Sequence, residues 1–200
     1  MSEYKIRSKA MGPFQTNCFI ISYDEKDIII DPGVDATEWV IKNTSNPIAI
    51  LNTHGHFDHI WSNAELKEKL NIPIYCPKED AFMLKEDPFH HNVPPSAADF
   101  LVKDGENFDI DGFVFKFHHF PGHTPGCSAI EIDEHLFTGD FIFENSIGRV
   151  DFPYSNPKDM INSLDKILKW EKDFRIYPGH GNFSTLLKQK DSLEAWINYI

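Results

Sequence analysis

Two hundred residues suffice for one domain with a full core, and 41% hydrophobic and 25% charged content is that of a globular chain, not a disordered one. A formal charge of −12 repels a phosphate backbone and removes the counterion-release term on which nucleic-acid binders depend, which disfavours a nucleic-acid partner. Cys18, Cys76 and Cys127 form no CxxC pair, residues 1–12 show no export signal, and no run approaches the ~20 apolar residues of a membrane span, so a cytoplasmic chain without a membrane partner is expected.

In chain order, residues 17–23 (NCFIISY) and 27–31 (DIIID) flank the charged turn Asp24-Glu25-Lys26 and predict a hairpin. Asp35-Ala36-Thr37-Glu38 has the pattern of a capping box ahead of Trp39, Val40 and Ile41. Pro47 to Leu51 is a short apolar run fit for a buried strand. Ser62-Asn63-Ala64-Glu65 repeats the capping pattern, with Leu66 and Leu70 at helical spacing behind it. Residues 72–75 (IPIY) predict a strand, and Pro77 opens a helix through Ala81, Phe82 and Leu84.

From Asp99 to Gly139 the pattern is of several strands, including 113–117 (FVFKF) and 135–138 (HLFT). Asn156-Pro157 starts a helix with Met160, Ile161, Leu164, Ile167 and Leu168 on one face. A last helix from about Ser184 is expected to bury Leu186, Leu187, Leu193, Trp196 and Ile197. Two runs of strands with helices outside imply a sheet-on-sheet core covered by helices, in a single domain over residues 1–200.

The chemistry concentrates in Thr53-His54-Gly55-His56-Phe57-Asp58-His59, between the Pro47–Leu51 strand and the helix at Ser62. From composition, H-x-H-x-D-H has roughly 0.002 chance matches in a chain of this length, so a polar loop that happens to hold histidines is a poor explanation. His54 and His56 are two apart, and an extended stretch aims both imidazoles to one side. Asp58 and His59 follow after the chain begins to turn, so one loop can serve two adjacent metals. More ligands must come from elsewhere. His123 in Pro121-Gly122-His123-Thr124-Pro125-Gly126, Asp140 after Phe137-Thr138-Gly139, and His180 in Tyr177-Pro178-Gly179-His180-Gly181 are the candidates. His118 and His119 are read as strand-end residues that support ligands or pack, His135 as a turn residue, and His90 and His91 as part of an exposed loop, with a lid as the alternative.

In order and spacing, HGHFDH, PGHTPG, FTGD and YPGHG resemble the metallo-β-lactamase superfamily over nearly the whole chain. Thr16-Asn17-Cys18, Ile30-Asp31-Pro32-Gly33 and the run from Gly139 to Arg149 resemble its glyoxalase II-like branch, here in a short form without the C-terminal helical domain. The resemblance implies an α/β chain folded as a four-layer αββα sandwich, two mixed sheets flanked by helices. It implies His54, His56 and His123 on one metal, Asp58, His59 and His180 on a second, and Asp140 bridging them. Such an N/O ligand set suits two divalent ions, Zn first, with Fe or Mn also acceptable.

The expected activity is that of a hydroxyacylglutathione hydrolase-like thioesterase, in which a metal-bridging hydroxide attacks the carbonyl of a small-molecule thioester. Asp58 is the catalytic carboxylate that orients the nucleophile and later takes its proton. Arg149 lies where glyoxalase II places a basic residue toward glutathione, but Asp151 and Asn182 stand where those enzymes carry tyrosines. A mononuclear iron persulfide dioxygenase, with His54, His123 and Asp140 as ligands, is the rival on the same scaffold. A non-catalytic binding module would require lost ligands, and all seven are in place.

Overall fold

The computed structural model describes residues 4–200, and the chain divides into two compact units, Met1–Val102 and Lys103–Ile200. The first unit runs β1 (Lys5–Met11), β2 (Thr16–Tyr23), β3 (Lys26–Ile30), α1 (Ala36–Asn43), β4 (Pro47–Leu51), α2 (Phe57–Ile60), α3 (Asn63–Leu70), β5 (Ile74–Pro77), a 3-10 turn at Lys78–Asp80, α4 (Met83–Glu86) and β6 (Phe100–Val102). Its strands form one sheet in the order β1-β2-β3-β4-β5-β6. The first three pair antiparallel, whereas β3 to β6 pair parallel. Parallel strands need crossovers; α1 lies between β3 and β4 and α3 between β4 and β5, and both cover the face that carries Ile29, Ile50 and Ile74. Ile29, Ile50, Ile74 and Cys76 meet Ala36, Val40 and Leu66 in the core of this unit.

The second unit runs β7 (Asn107–Ile110), β8 (Phe113–His119), β9 (Ser128–Ile132), β10 (His135–Gly139), β11 (Ile142–Phe143), β12 (Ser146–Ile147), α5 (Pro157–Leu168), β13 (Arg175–Pro178), β14 (Ser184–Thr185) and α6 (Leu186–Tyr199). Its sheet has the order β14-β13-β10-β9-β8-β7, with β10 and β13 parallel and the other pairs antiparallel. Phe113, Phe115 and Phe117 of β8 are buried and Val114 is exposed, the period of two expected of a strand. The α5 helix starts where Asn156 accepts hydrogen bonds from the backbone N–H groups of Lys158 and Asp159, with Pro157 in the first turn. Met160, Leu164 and Ile167 of α5 pack with Leu186 and Leu193 of α6 against Leu136 and Ile176. Each unit is a mixed sheet with its own helices, the α/β class expected.

Several local expectations differ from what forms. The β1 strand gave no sequence signal, because it is an edge strand whose residues are mostly exposed. The strand expected at 72–75 lies at Ile74–Pro77, and the helix expected from Pro77 is broken into the 3-10 turn and α4. Neither capping box closes: Asp35 and Ser62 make no side-chain cap hydrogen bond. Instead Ser62 Oγ donates to Gly33 O, and Thr37 Oγ1 donates to Glu65 Oε2, tying α1 to α3. Leu187 is 47% exposed, not buried, because the face of α6 turned to the core carries Leu186, Gln189 and Leu193. His135 lies in β10, not in a turn, with Nδ1 3.1 Å from the Tyr177 hydroxyl.

Candidate metal centre

In the first unit the chemistry sits where parallel strands end. Ile30 of β3 and Leu51 of β4 are register partners, so the residues that follow them leave the sheet side by side. The Asp31 N–H donates to Leu51 O at 3.1 Å, and the Asp31 carboxylate accepts from the Thr53 N–H at 2.8 Å and from Thr53 Oγ1 at 2.6 Å. Since the single hydroxyl proton of Thr53 is used on Asp31, Thr53 Oγ1 accepts from His54 Nδ1, 3.1 Å away. His59 Nδ1 lies 3.0 Å from Asp31 Oδ2 and donates to it. One carboxylate therefore fixes the ring orientation of two imidazoles, one directly and one through Thr53, and leaves each Nε2 with its lone pair.

The rest of that loop is held as firmly. Asp80 Oδ2 accepts from the Gly55 N–H at 2.9 Å, and a Cβ on Gly55 would come within 2.8 Å of Asp80 O. Asp58 lies in the first turn of α2, and its Oδ2 accepts from Thr16 Oγ1 at 2.7 Å. His59 Nε2 is 3.6 Å from that same oxygen. A Cβ on Gly33 would overlap the Asp58 carbonyl, so this close approach needs glycine.

The second unit repeats the device. Strands β10 and β13 are parallel with Gly139 opposite Pro178, and Gly179 N–H donates to Gly139 O at 2.8 Å, so Asp140 and His180 emerge together. His123 follows Gly122, whose φ of 144 and close approach to Met160 exclude any side chain. His123 Nδ1 donates to Arg149 O at 2.8 Å, which again leaves Nε2 as the nitrogen able to hold an ion. Asp140 Oδ2 stands 3.5 Å from His123 Nε2 and 3.4 Å from His180 Nε2.

These separations fit ligands rather than hydrogen-bond partners. Two donors at about 2.1 Å from a tetrahedral ion lie about 3.4 Å apart. Asp31, Asp58 and Asp140 are all buried, and a buried carboxylate beside imidazole nitrogens suits a bound cation. Asp31, His54 and His59 also group as residues able to hold an ion, but with both Nδ1 atoms turned to Asp31 and Thr53 that trio is better described as support for ligands than as a separate site. The three cysteines are buried, and burial, then the Asp31 charge, pushes the Cys18 thiol well above its ordinary value, so no thiolate joins the set.

Sequence reasoning left Asp31, Thr53, Thr16 and Asp80 without roles. A hint was present, since Asp31 follows a strand and precedes Pro32-Gly33, but its partners are 22 and 28 residues away across a crossover. Arg149 is placed differently from the other candidates. Its Nε and Nη2 donate to Asp151 at 2.9 and 2.8 Å, both side chains are exposed, and its guanidinium lies 4.2 Å from the Phe152 ring centre. His118 and His119 serve packing, on Glu131 and on Pro125 O respectively.

Comparison with known proteins agrees with this geometry. Residues 11–180 match the model of the metallo-beta-lactamase superfamily. The hydroxyacylglutathione hydrolase GloC of Haemophilus influenzae is 36% identical over 194 residues, spanning 90% of this chain and 92% of that protein. The crystal structure of BLEG-1, a B3 metallo-beta-lactamase, superposes with a TM-score of 0.85 at 30% identity, covering 94% of this chain and 97% of that one. TTHA1623, crystallised in a di-iron-bound form, superposes with a TM-score of 0.82 at 29% identity, covering 93% and 98%. Two mixed sheets flanked by helices are the α/β arrangement of this fold, consistent with its four-layer αββα sandwich. Among the described residues no helix is long and apolar enough to cross a membrane.

Proposed function

The chain belongs to the metallo-β-lactamase superfamily and is a metal-dependent hydrolase, and from that premise we propose that it is a dinuclear thioesterase of the hydroxyacylglutathione hydrolase type. The observation that carries this is the Asp140 carboxylate, one oxygen of which faces both His123 Nε2 and His180 Nε2 at ligand separations. A bridging carboxylate needs two ions. By the family resemblance, His54, His56 and His123 would hold one and Asp58, His59 and His180 the other. Zinc suits this set first, and iron or manganese is also acceptable to it.

When bound, a pair of divalent ions supplies a water acidic enough to ionise near neutral pH and an electrophile for a carbonyl oxygen. The chain supplies position. Asp31 and Thr53 hold His54 and His59 in one tautomer, and Thr16 holds Asp58 through Oδ2, so that its carboxylate would orient the nucleophile and take its proton. A thiolate leaves without a general acid, which is why a thioester suits a site whose carboxylates are all committed as ligands or to ligands.

The similarity to hydroxyacylglutathione hydrolase GloC supports a small-molecule thioester as substrate. For the thiol half we propose Arg149. Its guanidinium is exposed and already matched to the Asp151 carboxylate, so a substrate carboxylate would exchange with an equivalent partner. Arg149→Ala should raise KM for lactoyl-glutathione more than it lowers kcat and spare an uncharged thioester of similar length; equal effects on both would leave Arg149 a surface residue. The function itself is tested by assaying metal-loaded protein on a thioester panel beside a β-lactam and an oxygen electrode. Thioester hydrolysis is expected, and oxygen consumption with a persulfide substrate would replace the proposal by the dioxygenase.

A further inference from the structure

One stretch of the first unit, residues 80–93, meets the His54-Gly55-His56 loop twice, once at its backbone and once at a ring. The backbone contact is made by Asp80 and Met83. The buried Asp80 carboxylate accepts from the Gly55 N–H at 2.9 Å. A Cβ on Gly55 would come within 2.8 Å of Asp80 O, 2.9 Å of Met83 Cβ and 3.0 Å of Met83 Sδ, so only glycine lets the two segments lie this close. Further along, the half-buried Phe89 packs edge-on to His56, with 5.2 Å between ring centres and 78° between ring planes. The His54 ring is also edge-on to His56, at 4.9 Å.

Phe89 is carried by a turn that is tied down on both sides. Asp87, His90 and Asn92 hold left-handed backbone, with φ of 41, 56 and 63. Such angles cost energy in any residue with a Cβ and persist where the surroundings impose them. Here the Asp87 carboxylate accepts from the N–H groups of His91 at 3.1 Å, Asn92 at 2.6 Å and Val93 at 3.3 Å. Val93 is buried in the core of the unit, and the Ser96 N–H donates to Leu84 O at 2.8 Å, which returns the chain to α4. The exposed His91 lays its ring on Phe57 at 3.9 Å between centres. The turn therefore bears on two consecutive residues, His56 and Phe57.

An imidazole turns about its outer side-chain bond over a broad, roughly two-fold range, so an Nε2 aimed at an ion needs a neighbour that fixes the ring. His54 and His59 are fixed through Nδ1, by Thr53 and Asp31. At His56 an edge-on ring restricts the same rotation. We propose that Phe89 is a positioning residue for His56, with the Asp87 turn holding Phe89 in place and Asp80 fixing the backbone just before the imidazole. Residues 80–93 are then a buttress that acts on a bound ion through His56, not a surface for substrate. This rests on the reading of His56 as a metal ligand.

The test titrates zinc into the apoprotein against a competing chelator, for wild type, Phe89→Leu, Phe89→Tyr, Asp87→Ala and His56→Gln. Phe89→Leu keeps an apolar side chain at the half-buried position but removes the ring. It should weaken the binding of one zinc ion about three- to tenfold, the range of an aromatic pair, and Phe89→Tyr should restore it. Asp87→Ala keeps the ring but releases the turn, so it should reproduce the loss, and it carries the test should Phe89→Leu fail to fold. In a His56→Gln background Phe89→Leu should have no further effect, because its partner is already gone, whereas a general loss of stability would add. Additive losses would overturn the buttress. So would unchanged zinc affinity with a raised thioester KM, which would make Phe89 a substrate contact. Unchanged zinc binding in His56→Gln would overturn the ligand reading, and the buttress with it, a result distinct from either of the others.

Discussion

At the scale of single residues, the candidate site holds imidazoles whose proposed ligand nitrogen is chosen by what the other nitrogen donates to. His54, His59 and His123 each commit Nδ1 to an oxygen, of Thr53, Asp31 and Arg149 respectively. Asp31→Asn should therefore retain all seven ligands yet weaken metal binding about 10–100-fold, the range for removing such a support. Titration of the apoprotein against a competing chelator reads this directly, and unchanged affinity would make Asp31 a packing residue. If Asp140 bridges two ions as proposed, Asp140→Ala should abolish turnover with loss of at least one bound ion, whereas near-wild-type thioesterase activity would show that Asp140 is not the bridge.

Away from the site, burial holds the His118 pKa below its ordinary value, against the raising pull of its hydrogen bond to Glu131. A depressed folded value means that this contribution is fully present above the unfolded value of about 6.5 and is lost as pH falls through the folded one. Urea unfolding between pH 8 and 5 should show this loss in wild type and a flatter profile in His118→Gln. The proposed ligands stand out in sequence because HGHFDH is a local pattern with a low chance rate. Asp31 was not, because its role exists only once β3 and β4 lie in register.

At the scale of elements, the candidate ligands are placed by strand ends and by glycines that let chains approach. Strands β3 and β4 in one unit, and β10 and β13 in the other, each release two site segments from neighbouring parallel ends. Gly148 is packed so that a Cβ would overlap Asp140 O and come within 3.0 Å of His123 Cγ. Gly148→Ala should cost about 1–3 kcal/mol of stability, the range for overpacking a tight site, and lower metal content with it. A thermal melt with parallel metal analysis checks this, and unchanged metal content would show that the backbone yields elsewhere. Strands with strong apolar runs, such as β2 and β4, and the Asn156-capped α5 were readable because their signals are local. The capping boxes at Asp35 and Ser62 misled because Thr37, Glu65 and Ser62 spend their polar atoms on tertiary partners instead.

At the scale of the whole molecule, the −12 charge and the buried carboxylates of the site favour bound cations, and ions that bind only the folded chain stabilise it by mass action. We propose that residues 1–200 behave as one domain, so metal-loaded protein should unfold in a single transition that moves to lower temperature on chelation. The two-ion claim itself is tested most directly by elemental analysis of protein purified without added metal, beside His59→Ala. Close to two ions per chain are expected, falling to about one in the variant, because His59 is proposed as a ligand of only one of the two ions. A single iron per chain, unchanged in His59→Ala, would contradict the dinuclear centre.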